Sequence, residues 1–144
     1  EMFSHAHKCG HNFAIEILDV DYFKEYNDLY GHYKGDELLR RVALCLDENG
    51  DSRFFAARYG GDEFMAVIYN TDEPQIMSHL KALKETVDRF NQYGKHTPIS
   101  YAFGWAVSTE YKECTLRTLF DKADHYMYLN KQKSKMGREY SSGK

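Results

Sequence analysis

The sequence predicts an α+β chain, an α/β sandwich in which helices cover a central sheet. Three observations carry this. Segments that read as strands alternate with segments whose apolar residues recur at helical spacing. An early, mostly apolar run is rich in branched residues, as a buried strand is. Two short apolar runs flank a Gly-Gly pair as a hairpin would, so the sheet is expected to be mixed rather than purely parallel. With 144 residues, one domain with a real core needs no disulfide or structural metal.

The elements follow in order. NFAIEILDV (12–20) is the buried strand. A short helix is expected to start near Tyr22. KGDELLRRVALCLDEN (34–49) carries Leu38, Leu39, Val42 and Leu46 at helical spacing. RFFAARY and EFMAVIY bracket Gly60 and Gly61, where glycine is expected to supply the positive φ of a tight turn. EPQIMSHLKALKETVDRFNQY (73–93) has Pro74 at a helix start and a core-facing stripe of Ile76, Leu80, Leu83, Val87 and Phe90. ISYAFGWAVS (99–108) reads as another strand, and TLRTLFDKADHYMYLNKQKSK (115–135) as a last helix with a basic end. The tyrosines and Trp105 read as packing residues rather than a stacking platform.

Composition narrows the function classes. A formal charge of −3 argues against a chain whose main work is gripping nucleic acid, though a nucleotide substrate needs only a few placed cations. Cys9, Cys45 and Cys114 are odd in number and widely spaced, so they read as thiols in a reducing cytoplasm, not as a disulfide framework. No apolar run approaches transmembrane length and no signal peptide is present, so no membrane contact is expected of this domain. The chain opens at Glu1, part-way into what reads as a helix, and is expected to be a single domain, 1–144, cut from a longer protein.

The acids carry the chemistry. Asp19 and Asp21 close the first strand, where side chains at i and i+2 share a face if the strand continues that far. Strand ends are where open sheets bind ligands, while an acid in front of a helix also serves as a cap, the better reading for Asp21 alone. If the strand ending at Asp19 pairs beside the hairpin, Asp19 meets the Asp62-Glu63 pair. Converging carboxylates repel unless neutralised, and a hard divalent cation neutralises them. Magnesium suits one or two carboxylates plus substrate phosphates, which points to metal-assisted phosphoryl or nucleotidyl transfer. Lys24 follows closely, either as a cation for developing phosphate charge or as an ordinary solvent-facing lysine. Asn27 and Asp36, with His32 between them, either read a guanine edge or cap and begin helices. There is no Walker-type phosphate loop and no dinucleotide fingerprint.

LDVDYFKEYNDLYGHYKGDELL followed by RYGGDEF resembles the GGDEF domain of diguanylate cyclases, and the resemblance extends through SYAFGWAVS and LFDKADHYMYLNK. It implies a mixed, mainly antiparallel sheet of about five strands, similar to the polymerase palm and class III nucleotidyl cyclases. It implies condensation of two GTP into cyclic di-GMP with release of two pyrophosphates. Asp19, Asp62, Glu63 and the backbone carbonyl of Val20 would hold Mg2+ or Mn2+, two per active site. Asp62 would also accept the proton of the attacking 3′ hydroxyl, and Lys24 would stabilise the transition state. Asn27, His32 and Asp36 would form the substrate pocket, and Lys131 would contact phosphates. A second GGDEF domain must face the first, so a homodimer is implied, with an upstream sensor in a parent that can be membrane-anchored.

The sequence also departs from the family pattern. The product-inhibition motif Arg-x-x-Asp falls on Asp51 and Phe54, with Arg53 out of register, so product inhibition is expected to be absent. The stretch that usually precedes the first strand is missing, so this fragment is expected to be impaired. Gly137-Arg138 comes three residues late, and Arg138 takes no role. His5, His7, Cys9 and His11 would share a face in a strand and form a transition-metal set, but the resemblance puts them at a helix end and loop. The alternative to the enzyme is a non-catalytic GTP-binding or dimerisation module. The signature acids are all present, which favours catalysis, and Asp36 argues against ATP as substrate.

Overall fold

The computed structural model describes residues 12–51, 53–93, 98–110 and 115–142. The elements are β1 (Phe13–Val20), α1 (Phe23–Tyr30), α2 (His32–Glu48), β2 (Phe54–Arg58), β3 (Glu63–Tyr69), α3 (Glu73–Tyr93), β4 (Tyr101–Val107), a 3-10 turn (Ser108–Glu110) and α4 (Leu116–Ser142). The strand order β2-β3-β1-β4 with crossing helices is a split β-α-β arrangement.

The α+β class is as expected, but the sheet differs in detail. Among the described residues it has four strands rather than about five, and each neighbouring pair is antiparallel. β2 does run parallel to β1, as the helical crossover requires. β3 is inserted between them, so the parallel pair never becomes a ladder.

Every residue of β1 is buried because both faces of the sheet are covered. Alternation sends Leu18 and Val20 to one face, where they pack with Phe23, Leu38, Leu39, Val42, Leu46, Leu83 and Val87 of α1, α2 and α3. Ala14 joins Ile76 and Leu80 of α3 on that side. Phe13, Ile15 and Ile17 point the other way, onto Leu119, Ala123 and Met127 of α4. Each large side chain buried in this way contributes ~1.5–3 kcal/mol. The helical stripes read from the sequence are therefore the core-facing stripes, with Phe90 at the margin of its cluster.

The helix starts have identifiable causes. Asp72 caps α3 through its Oδ1, which accepts the Gln75 N–H at 3.0 Å, and Thr115 caps α4 through a 3.0 Å bond from the Thr118 N–H. Asp21 is not a cap. α1 has no side-chain cap and begins after Tyr22 at φ 60°, while Asp21 accepts a 2.7 Å bond from the Ser100 hydroxyl. β1 ends at Val20, so Asp21 also falls outside the strand whose face it was to share with Asp19. Between α1 and α2 the chain turns at Gly31, whose φ of +89° favours glycine.

The hairpin glycines behave differently from expectation. Gly60 and Gly61 do not adopt positive φ. The hairpin is closed by a 2.7 Å bond from the Tyr59 N–H to the Glu63 carbonyl, so residues 59–62 form a longer loop that negative φ can close.

Cys45 is buried and free, and burial pushes its thiol pKa up. Among the described residues no helix is long and apolar enough to cross a membrane. His5, His7, Cys9, His11 and Cys114 lie outside the described residues.

Candidate active site

β1 and β3 pair antiparallel with Asp19 opposite Glu63, and the Val20 N–H donates to the Asp62 carbonyl at 3.0 Å. The end of β1 and the tip of the β2–β3 hairpin are thereby fixed against each other. Carboxylate oxygens of Asp19, Asp62 and Glu63 lie within 4.8 Å of one another, and among the described residues no other trio of His, Cys, Asp or Glu converges in this way.

Asp19 is buried, and its alternation with Ile17 puts it on the α4 face of the sheet. There Lys131 of α4 donates to Asp19 Oδ2. Asp19 Oδ1 is also buried and has no partner. Burial pushes the Asp19 pKa up to about 6. Lys131 opposes this shift, while the neighbouring Asp62 carboxylate reinforces it. The Lys131 pKa is raised as well: burial opposes its charge, but Asp19, then Asp62 and Glu63, hold the proton.

A cavity of about 320 Å3 opens beside these groups, lined by Asp19, Val20, Lys24, Asp62, Lys131 and Gln132. Lys24, in the first turn of α1, is exposed at its edge. A buried carboxylate oxygen without a donor, two further acids within reach and hard oxygen chemistry throughout fit a divalent cation.

The expected substrate residues are not gathered around that cavity. Asp36 lines a second one, of about 430 Å3, between α2 and β2, with Leu39, Arg40, Ala43, Arg58 and Phe64 among its walls. Asn27 turns its carboxamide onto Gly35, where a Cβ would collide with Asn27 Oδ1, and that oxygen is buried without a partner. His32 is exposed at the first position of α2. The side chain of Arg138 lies outside the described residues.

One residue of the site escaped the sequence reading. Arg58, at the end of β2, folds its guanidinium back onto the loop, donating from Nε to the Gly60 carbonyl at 3.0 Å and from Nη2 to the Gly61 carbonyl at 2.8 Å. Its only signal was a basic residue one position before the turn. Near the expected product-site positions, Arg53 is engaged within the chain by Asp51, the Asn70 carbonyl and Gln75.

Comparison with known proteins identifies the family. The family described as "Diguanylate cyclase, GGDEF domain" matches residues 1–137. Diguanylate cyclase DosC of Escherichia coli K12 is 30% identical over 135 residues, covering 92% of this chain and 29% of that protein. Diguanylate cyclase DgcN of the same organism is 36% identical over 121 residues, covering 82% of this chain and 29% of that protein. The chain thus spans less than a third of either relative. The GGDEF domain of DgcB from Caulobacter crescentus, solved in complex with c-di-GMP, superposes with a TM-score of 0.78 at 25% identity, covering 90% of this chain and 77% of that one. The chain belongs to the GGDEF domain family of diguanylate cyclases.

Proposed function

We propose that this chain is a diguanylate cyclase catalytic domain that condenses two GTP into cyclic di-GMP and two pyrophosphates. The observation that carries the reading is the convergence of Asp19, Asp62 and Glu63 on one point, with Lys131 and Lys24 around the same cavity. Asp19, Asp62, Glu63 and the Val20 carbonyl would hold Mg2+ or Mn2+, two per site. What such cations supply is neutralisation of phosphate charge and a lowered pKa for a bound hydroxyl.

The chain's own groups do the rest. Asp62 accepts the proton of the 3′ hydroxyl of the partner's GTP. That oxygen bonds to the α-phosphorus as the bond to pyrophosphate breaks. Lys24 and Lys131 offset the charge growing on the phosphate oxygens. Asn27 and Asp36 would read guanine, and His32 would complete the substrate pocket. Each domain holds one GTP, so two copies must face each other and catalysis is largely positioning.

In the parent protein this domain follows a sensor and lies on the cytoplasmic side, with no nucleic-acid partner. The engaged Arg53 supports a domain without product inhibition: micromolar cyclic di-GMP should leave its turnover unchanged.

The deciding experiment is product analysis after incubating concentrated protein with GTP and magnesium, beside Asp62→Ala. Cyclic di-GMP from the wild type and none from the variant is the expected result. GTP binding without product, in a longer chain as well, would favour a non-catalytic GTP-binding or dimerisation module.

A further inference from the structure

We infer that Asn130 is a positioning residue: by tying α4 to the outer edge of β4, it sets Lys131 at the acidic cavity, where Lys131 meets phosphate. The inference rests on the cyclase reading for the identity of that phosphate.

Among the described residues β4 is an edge of the sheet, with β1 its one neighbour. In an antiparallel ladder each residue turns its N–H and carbonyl to the same side. The Phe103 N–H faces away from β1, and Asn130 Oδ1 accepts it at 3.1 Å. Phe103 lies opposite Leu18, and Ala102 beside it lies opposite Asp19. The anchor is thus one residue pair from the acid to which Lys131 donates. Tyr126, one turn earlier on α4, follows the same edge. Its ring centroid is 6.2 Å from that of Phe103 and 5.6 Å from that of Trp105.

A second contact shows why this bond matters. A Cβ at Gly104 would collide with the Ala123 carbonyl oxygen and the Met127 nitrogen, so the backbone of α4 rests directly on β4 there. Ala123 and Met127 are buried in that contact, and Asn130 and Lys131 follow Met127 by three and four residues on the same face. Contact at one place leaves a helix free to rotate about it. The Asn130 bond is a second fixed point, about 5 Å further along the axis. Little sheet remains beyond it, because β4 begins at Tyr101 and β1 stops at Val20.

Lys131 does not fix its own place. Its side chain is long and rotamer-rich, and 42% of it is exposed. Lys131 lines the acidic cavity and Asn130 does not, so Asn130 reaches a ligand there through its neighbour.

The test is calorimetric binding of inorganic pyrophosphate with magnesium to the full chain, alongside GTP kinetics. The proteins are wild type, Asn130→Leu, Lys131→Ala and the double variant, each held well below its melting point. Leucine keeps the size of the side chain and suits a helix, but removes the acceptor. Asn130→Leu should weaken pyrophosphate binding and lower kcat/KM for GTP by about three- to tenfold, the scale of one hydrogen bond. In the Lys131→Ala background the same substitution should change neither, because residues that act through one another are not additive. Hydrogen exchange at the Phe103 amide should quicken in Asn130→Leu and stay slow in Asn130→Asp, which keeps an acceptor. The Gly104 amide, which faces β1, reports whether the ladder is kept.

Unchanged pyrophosphate affinity in Asn130→Leu overturns the inference, and leaves Asn130 as a cover for the sheet edge. A loss that recurs in full without Lys131 overturns it too, since Asn130 would then act by another route. So does a Phe103 amide that exchanges no faster in Asn130→Leu. A wild type that forms product but whose pyrophosphate affinity ignores Lys131→Ala also overturns it, and leaves the cyclase standing. No product from the wild type, with the pyrophosphate cycle as described, removes the cyclase reading alone.

Discussion

Glu16 and Asp19 are both buried carboxylates on β1, and they face opposite sides of the sheet. Glu16 looks toward α3, where His79 Nδ1 lies 2.6 and 2.7 Å from its two oxygens. Asp19 looks toward α4, with one oxygen on Lys131 and the other buried and unmatched. The Glu16 carboxylate is paired within its own packing layer. The Asp19 carboxylate is surrounded by further negative charge and raised to about 6 by burial and by Asp62. A buried acid with a complete local partner is a fold element, while one that is short of a partner among other acids is built to receive something.

The comparison breaks most sharply at Asp19. Asp19→Asn should lower cyclic di-GMP formation by about a thousandfold, the upper range for losing one preorganised group that stabilises charge. Its thermal midpoint without added metal should stay level or rise, because a buried charge lacking full compensation has been removed. Millimolar Mn2+ should raise the midpoint of the wild type, as any ligand of the folded state does, and should do so less for Asp19→Asn. A variant that loses stability as heavily as activity would make Asp19 a structural residue like Glu16.

Glu16 should give the mirror image. Glu16→Ala strands His79 beneath α3, and breaking a buried pair by removing one partner costs ~3 kcal/mol. Denaturant unfolding should show that loss. Turnover measured well below the melting point should remain within a few-fold of wild type, since no atom of Glu16 reaches the acidic cavity. A turnover loss on the scale of Asp19→Asn would mean that the two faces are coupled.

The two sites were not equally legible in the sequence. Asp19, Asp62 and Glu63 stood out because each sits where an apolar run stops, and a period of two fixes which neighbours share its face. The run around β1 also announced burial on both sides, and the stripes of α2 and α3 announced the face they present. Glu16 gave no such signal. Its partner lies 63 residues away on a helix whose stripe reads correctly without it, and pairing across that distance depends on how the helix crosses the strand. Arg58 was missed for a related reason: its partners are backbone carbonyls, which residue type does not encode. The glycine pair drew a positive-φ expectation because a tight turn was expected there, whereas residues 59–62 form a longer loop that does not require it.

The smallest effect expected from the comparison lies in its pH dependence. Burial disfavours the charged His79 ring, yet the Glu16 carboxylate, with a weaker pull from Asp51, raises its pKa above the ordinary 6.5. Arg53 lines the same small cavity but is engaged by Asp51 and Gln75. Because the folded pKa lies above the unfolded one, the pair's stabilisation is complete below pH 6.5 and is lost as pH rises through the raised value. Denaturant midpoints for the wild type should therefore fall from pH 6 to pH 9. Glu16→Gln removes the charge that raises His79 while keeping an acceptor, so its midpoint should fall less over that range. Parallel profiles for the two proteins would place the pH dependence elsewhere and leave the Glu16–His79 contact as a neutral hydrogen bond.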